Sequence, residues 1–222
     1  MIGTAFYAFL DSLRANWLSY SRRAFDAIPH IASPNILDIG CGSGVVTVAL
    51  ARWSKGTVTG IDIDKTALRQ LVMNAEQEGV TDQVTIIKKS MKKMDFPKES
   101  FDIIWAEGVI AMIGFRRGLE TWKRFLKPGG YMVIHDDGQD IPQKRKQIGD
   151  CGYTLIEEFV LDEQVWWDEY YGPLALRIAQ FKADATQDRV LAAKLESSQQ
   201  EINGYHEQPE RYCSVFFIFQ RQ

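Results

Sequence analysis

The feature that most constrains this chain is the run Asn35–Ile39 followed at once by Gly40-Cys41-Gly42-Ser43-Gly44. A short apolar segment closed by glycine reads as a buried strand, and Val45–Trp53 after it reads as a helix. The glycine turn between them admits close approach of a ligand to the backbone, because no Cβ intervenes. Such strand–glycine turn–helix units belong to parallel sheets, which bind ligands at the carboxyl ends of their strands.

The rest of the middle of the chain keeps that rhythm. Lys55-Gly56 ends the first helix and Thr57–Ile61 reads as the second strand. Asp64 can cap the following helix, in which Leu68, Leu71, Val72 and Ala75 share a face and which Gly79 closes. Val84–Ile87 and Phe101–Trp105 read as strands three and four, separated by the polar turn of residues 94–100. A helix carrying Leu119, Trp122 and Leu126 is expected to stop at Pro128-Gly129-Gly130, with Tyr131–His135 as strand five. Tyr153–Leu161 reads as a further strand and Tyr212–Phe219 as the last. Residues 163–203 between them are rich in helix formers, with a break expected at Gly172-Pro173.

The expected fold is therefore α/β: a Rossmann-like, doubly wound, seven-stranded and mostly parallel sheet with an antiparallel C-terminal strand. It forms a single domain over 1–222, with an N-terminal helical extension (1–32), a core (33–161), a helical insertion or lid (162–211) and the last strand (212–222). Ile2, Ala5, Phe6, Phe9, Leu13 and Trp17 recur at helical spacing, which describes an amphipathic helix and not a signal peptide.

Charge and cysteine usage narrow the partners. The 222 residues carry a net charge of −3, so no overall field attracts nucleic acid or an anionic membrane. Lys88, Lys89, Lys92 and Lys93, and then Lys144, Arg145 and Lys146, read as solvated faces. Cys41, Cys151 and Cys213 are scattered without metal-ligand spacing, as in a reducing compartment, so a soluble cytoplasmic protein is expected. A homodimer stays open.

The loop itself separates two kinds of ligand. A dinucleotide fold places its third glycine where Val45 stands, to pack helix on strand beneath a pyrophosphate. Here the spacing is GxGxG and Asp38 precedes it, a carboxylate suited to an ammonium and a sulfonium rather than to a pyrophosphate. Asp62, at the end of the second strand, can accept both hydroxyls of a ribose.

Four segments in this order, ILDIGCGSG, VTGIDID, MDFPKESFDIIWAEG and LKPGGYMVIHD, resemble the class I S-adenosylmethionine-dependent methyltransferases over roughly residues 33–137. The likeness is strongest to the small-molecule branch that includes the ubiquinone and menaquinone biosynthesis enzymes (methyltransferase type 11). It implies S-adenosylmethionine as methyl donor, S-adenosylhomocysteine as product and a small-molecule acceptor. Carried over, Asp38, Gly40, Cys41, Gly42 and Gly44 would meet the methionine moiety, Asp62 the ribose and Ile63 the adenine. The adenine amino group commonly meets an aspartate after strand three; here Ser90 and Met91 stand there and would substitute.

Methyl transfer is an in-line displacement for which alignment and a dry pocket suffice, and a base is needed only for a protonated acceptor. Candidates for such a group are Glu107, His135 and Tyr170. Glu107 also stands where the cofactor could meet it, or where it caps the next helix. Ala106-Glu107-Gly108-Val109 replaces the Asn/Asp-Pro-Pro-Tyr/Phe tetrapeptide of adenine and glutamine amide methyltransferases. Glu107 with Asp136 and Asp137 offers oxygen ligands of the kind magnesium takes, but ordinary polar roles are favoured and no metal is assigned. Trp17 and Tyr20, and then Trp166, Trp167, Tyr170 and Tyr171, form two aromatic groups that could wall an acceptor pocket or simply pack. An RNA or protein methyltransferase and a non-catalytic S-adenosylmethionine-binding protein are the alternatives.

Overall fold

The computed structural model describes residues 2–184 and 189–222. Helices α1 (Ile2–Asn16) and α2 (Leu18–Asp26) precede β1 (Asn35–Ile39), α3 (Val45–Ser54), β2 (Thr57–Asp62), α4 (Lys65–Gln77) and β3 (Val84–Lys88). Then come β4 (Phe101–Glu107), α5 (Phe115–Trp122), β5 (Leu126–Asp137), α6 (Ile141–Asp150) and β6 (Tyr153–Leu161). Helices α7 (Glu163–Trp166), α8 (Gly172–Asp184) and α9 (Arg189–Glu207) follow, and β7 (Ser214–Arg221) ends the chain.

The seven strands form one sheet in the order β3-β2-β1-β4-β5-β7-β6. The first five pair in parallel, and the C-terminal strands are antiparallel, as the sequence rhythm predicts. Winding proceeds outward from β1 to β3 and then restarts at β4 on the other side. That reversal opens a crevice at the carboxyl ends of β1 and β4, where doubly wound sheets bind ligands.

Helices on both faces bury the central strands, which explains their unbroken apolar runs. Ile36, Leu37, Ile39, Ile104, Trp105, Met132 and Ile134 are sealed from solvent. Asp64 caps α4 as its position predicts, accepting from the N–H groups of Thr66 (2.7 Å) and Ala67 (3.3 Å). Leu68, Leu71 and Ala75 then face the sheet, whereas Val72 lies on the flank of that stripe and is exposed.

Several boundaries differ from the sequence reading. Leu126 begins β5 rather than ending a helix: α5 stops at Trp122 and tightens into one 3-10 turn, Lys123–Phe125. Pro128-Gly129-Gly130 is a bulge at the start of β5, where the pairing jumps from Phe101–Leu126 to Ile103–Tyr131. The N-terminal segment is two helices parted at Trp17, not one. Tyr212 closes a 3-10 turn, so β7 starts at Ser214. Gly172-Pro173 does not break its helix either. A π-turn, Trp167–Tyr171, runs straight into α8. Pro173 cannot donate to the Glu169 carbonyl, and Asn16 Nδ2 donates there instead, at 3.2 Å.

The chain divides into two compact units. One comprises Tyr20–Phe159 and Val215–Gln222 and contains the sheet core. The other comprises Met1–Ser19 and Val160–Ser214. Its core brings Phe6, Leu10 and Leu13 of α1 together with Leu174, Ile178 and Leu195 of the insertion. Among the described residues no helix is long and apolar enough to cross a membrane.

Candidate functional site

The parallel register puts the candidate acids on one face of the sheet. Asp38 of β1 stands opposite Gly60 of β2 and Trp105 of β4. One step further toward the carboxyl ends, Asp62 and Glu107 project from that same face, because side chains alternate with period two. Three adjacent strands thus each deliver one carboxylate to the crevice.

Each carboxylate is held by neutral donors. Thr47 Oγ1, in the first turn of α3, donates to Asp38 Oδ2 at 2.6 Å. Gly42 N–H donates to Asp62 Oδ2 at 2.9 Å, and Asp64 N–H to Asp62 Oδ1 at 2.8 Å. Trp105 Nε1 (2.7 Å) and Ser21 Oγ of α2 (2.8 Å) both donate to Glu107 Oε1. Among the described residues no lysine, arginine or histidine forms a salt bridge with any of the three. Burial raises the Asp38 carboxyl to about 7; the Thr47 hydrogen bond opposes this, and the charges of Glu107 and Asp62 add to it. Glu107 is raised as well, by burial, against the pull of Trp105 and Ser21. A crevice so constituted is short of positive charge.

The glycine loop fits a ligand beside these acids. Gly44 has a φ of +82°, and a Cβ there would sit 2.0 Å from Leu71 Cδ1, so its glycine serves helix packing. Gly42 has a φ of +54°, and a Cβ there would meet nothing within 4 Å. The same residue donates the N–H that binds Asp62, so open space and carboxylate meet at one position of the loop. Ile63, which follows Asp62 in the chain, is 61% exposed, an apolar side chain presented to solvent. Its neighbours Asp62 and Gly42 place a carboxylate and an open loop beside it. The residues present suit a nucleoside bearing a cationic amino-acid arm.

The other candidates fall into different places. Gly40 and Cys41 donate backbone hydrogen bonds to the Ile61 carbonyl at 2.8 and 3.1 Å, which ties the loop to β2. Burial, and then the charges of Asp38 and Asp62, push the Cys41 thiol up, which disfavours the thiolate. Ser90 Oγ accepts from Lys92 N–H at 3.2 Å, and Met91 packs against the apolar core. His135 faces Glu107 across the β4–β5 pairing, but it is buried and stacked on Phe216 at 4.2 Å. Burial holds its imidazole down to about 3.

Asp136 and Asp137 close on Lys144, at 2.7 and 3.0 Å. Lys144 is therefore buried, which corrects its reading as part of a solvated basic run. Tyr170 belongs to the helical unit, where it packs edge-on against Tyr171 with ring centres 5.1 Å apart. Trp17 and Trp166, expected in separate aromatic groups, meet there at 4.1 Å. Sequence reasoning missed Ser21, Thr47 and Lys144. Trp105 was within reach, since it shares the Glu107 face of β4 two residues earlier.

Residues 36–130 match the family described as "Methyltransferase domain". The 27-O-demethylrifamycin SV methyltransferase of Amycolatopsis mediterranei is 30% identical over 142 residues, 61% of this chain and 52% of that protein. A release factor glutamine methyltransferase of Rhodopirellula baltica is 31% identical over 131 residues, 56% of this chain and 44% of that protein. This chain thus spans about half the length of these curated relatives or less. Among solved structures, a SAM-dependent methyltransferase of Geobacter sulfurreducens in complex with S-adenosyl-L-homocysteine has the same fold, with a TM-score of 0.75. It is 21% identical, and the match covers 92% of this chain and 90% of that one.

Proposed function

We propose that this chain, whose residues 36–130 match a methyltransferase domain, is a class I, S-adenosylmethionine-dependent methyltransferase that acts on a small-molecule acceptor. One observation carries the donor half of this proposal. The strand-end carboxylates Asp38 and Asp62 converge with no salt bridge to a cation among the described residues, beside a loop glycine whose missing Cβ leaves open space. A ligand with a sulfonium and an ammonium supplies the missing charge.

In this reading Asp62 holds the ribose hydroxyls through the lone pairs left by Gly42 and Asp64. Asp38, with the loop residues Gly40, Cys41, Gly42 and Gly44, receives the amino-acid arm, and Ile63 supports the adenine. Ser90 and Met91 border the adenine end from the loop after β3. Bound S-adenosylmethionine supplies an electrophilic methyl group on a good leaving group, so these residues have only to bind, orient and exclude water.

The rifamycin relative supports a small-molecule acceptor, as does the Ala106-Glu107-Gly108-Val109 sequence after β4. The release factor relative favours a second reading, a protein acceptor. Incubation with methyl-labelled S-adenosylmethionine and a cell extract separates them. Label in the metabolite fraction, insensitive to protease and ribonuclease, is expected. Label confined to protein would establish the second reading, and no label in any fraction would refute both.

A further inference from the structure

We propose that Glu107 is the catalytic residue that takes the acceptor's proton, with Ser21 and Trp105 as its positioning residues; this rests on the methyltransferase reading above. Trp105 Nε1 and Ser21 Oγ donate to the same oxygen, Oε1, at 2.7 and 2.8 Å. Two donors on one oxygen fix the carboxylate plane and leave Oε2 as the basic atom. The register sets Glu107 one step beyond Asp38, toward the mouth of the crevice. Gly108, next along the chain, has a φ of +68°, so the backbone turns directly after Glu107.

The groups around Glu107 leave this role to it. Asp38 is engaged by Thr47 and Asp62 by two backbone N–H groups. His135, across the pairing, is buried in a stack on Phe216. The cations beside Ser21 on α2 are taken, Arg22 by Asp26 and Arg23 by Glu157. The acceptor class that follows is a nucleophile carrying a proton, such as a hydroxyl or an N–H. Its X–H bond breaks and the proton passes to Glu107 Oε2. The lone pair so released bonds to the methyl carbon while the carbon–sulfur bond breaks and its electrons stay on sulfur. The proton then leaves to solvent.

Glu107→Gln keeps both hydrogen bonds to Oε1 and removes only the base. It should bind S-adenosylhomocysteine within threefold of wild type by calorimetry. Labelled methyl transfer into the metabolite extract should fall at least about 100-fold, the scale of a lost general base. In Ser21→Ala the carboxylate loses a stabilising donor. The Glu107 carboxyl, followed by ¹³C NMR in cofactor-free protein, should then titrate at higher pH, and the rising limb of the rate profile should move the same way.

Transfer by Glu107→Gln at the wild-type rate overturns the inference. So does a loss of more than tenfold in S-adenosylhomocysteine affinity, which would make Glu107 a cofactor clamp, or an unmoved titration in Ser21→Ala. Wild-type protein that binds no S-adenosylhomocysteine, or labels no acceptor, overturns the underlying reading, and the inference with it.

Discussion

The backbone N–H of Gly42 donates to Asp62 Oδ2 across 2.9 Å and so ties the glycine loop after β1 to the carboxylate that ends β2. Loop shape and nucleoside recognition are thereby one arrangement: the acid that would hold a ribose also holds the turn open beside it.

Asp62→Ala removes both functions at once. Affinity for S-adenosylhomocysteine should fall by roughly 1.5–3 kcal/mol, the scale of hydrogen bonds to a charged group. Calorimetry on wild type and variant measures this; equal affinities would remove Asp62 from the site.

Gly42→Ala and Gly44→Ala should part company. At Gly42 the new methyl meets open space, so the cost is only that of a left-handed alanine, about 1–2 kcal/mol, while ligand binding is obstructed. At Gly44 the methyl would overlap Leu71, adding roughly 1–3 kcal/mol of overpacking to the same backbone cost. Urea denaturation should show Gly44→Ala as the less stable, and ligand titration should show Gly42→Ala binding more weakly than its stability accounts for.

The buried Asp38 carboxyl makes cofactor affinity depend on pH. Its value in the folded protein, about 7, lies above the ordinary 3.8, so the protonated form is favoured by folding. The stability it contributes is complete below the ordinary value and is lost as pH rises through about 7. A cationic ligand favours the ionised form instead. Affinity for S-adenosylmethionine should therefore rise about tenfold from pH 6 to pH 8, and Asp38→Asn should flatten the profile.

Lys144 balances Asp136 inside the protein, at 2.7 Å. Lys144→Met leaves that carboxylate buried and unpaired, at a cost of roughly 3–5 kcal/mol. Chemical denaturation of the variant checks this; a loss below 1 kcal/mol would show that the aspartate finds another partner.

Much of this was legible in sequence because it is local. The strand ends, the GxGxG turn, the Asp64 cap and the opposition of Asp38 to Asp62 follow from period and spacing within about 30 residues. What escaped reading depends on contacts distant in sequence. Ser21 reaches Glu107 from a helix 86 residues earlier, and nothing in its own segment marks it. Lys144 sits in a basic run with Arg145 and Lys146, and only the packing of α6 beside the end of β5 turns it inward. Pro128-Gly129-Gly130 carries a turn signal, and a β-bulge answers that signal as well as a loop does. Pro173 is tolerated because Asn16, far away in sequence, satisfies the carbonyl it abandons.

The most direct measurement is titration of the wild-type protein with S-adenosylhomocysteine, by calorimetry and by thermal unfolding. The carboxylates Asp38 and Asp62 and the open space at Gly42 predict saturable one-to-one binding and a melting temperature that climbs with ligand concentration. No heat of binding and no shift in melting temperature at millimolar ligand would contradict the cofactor site itself.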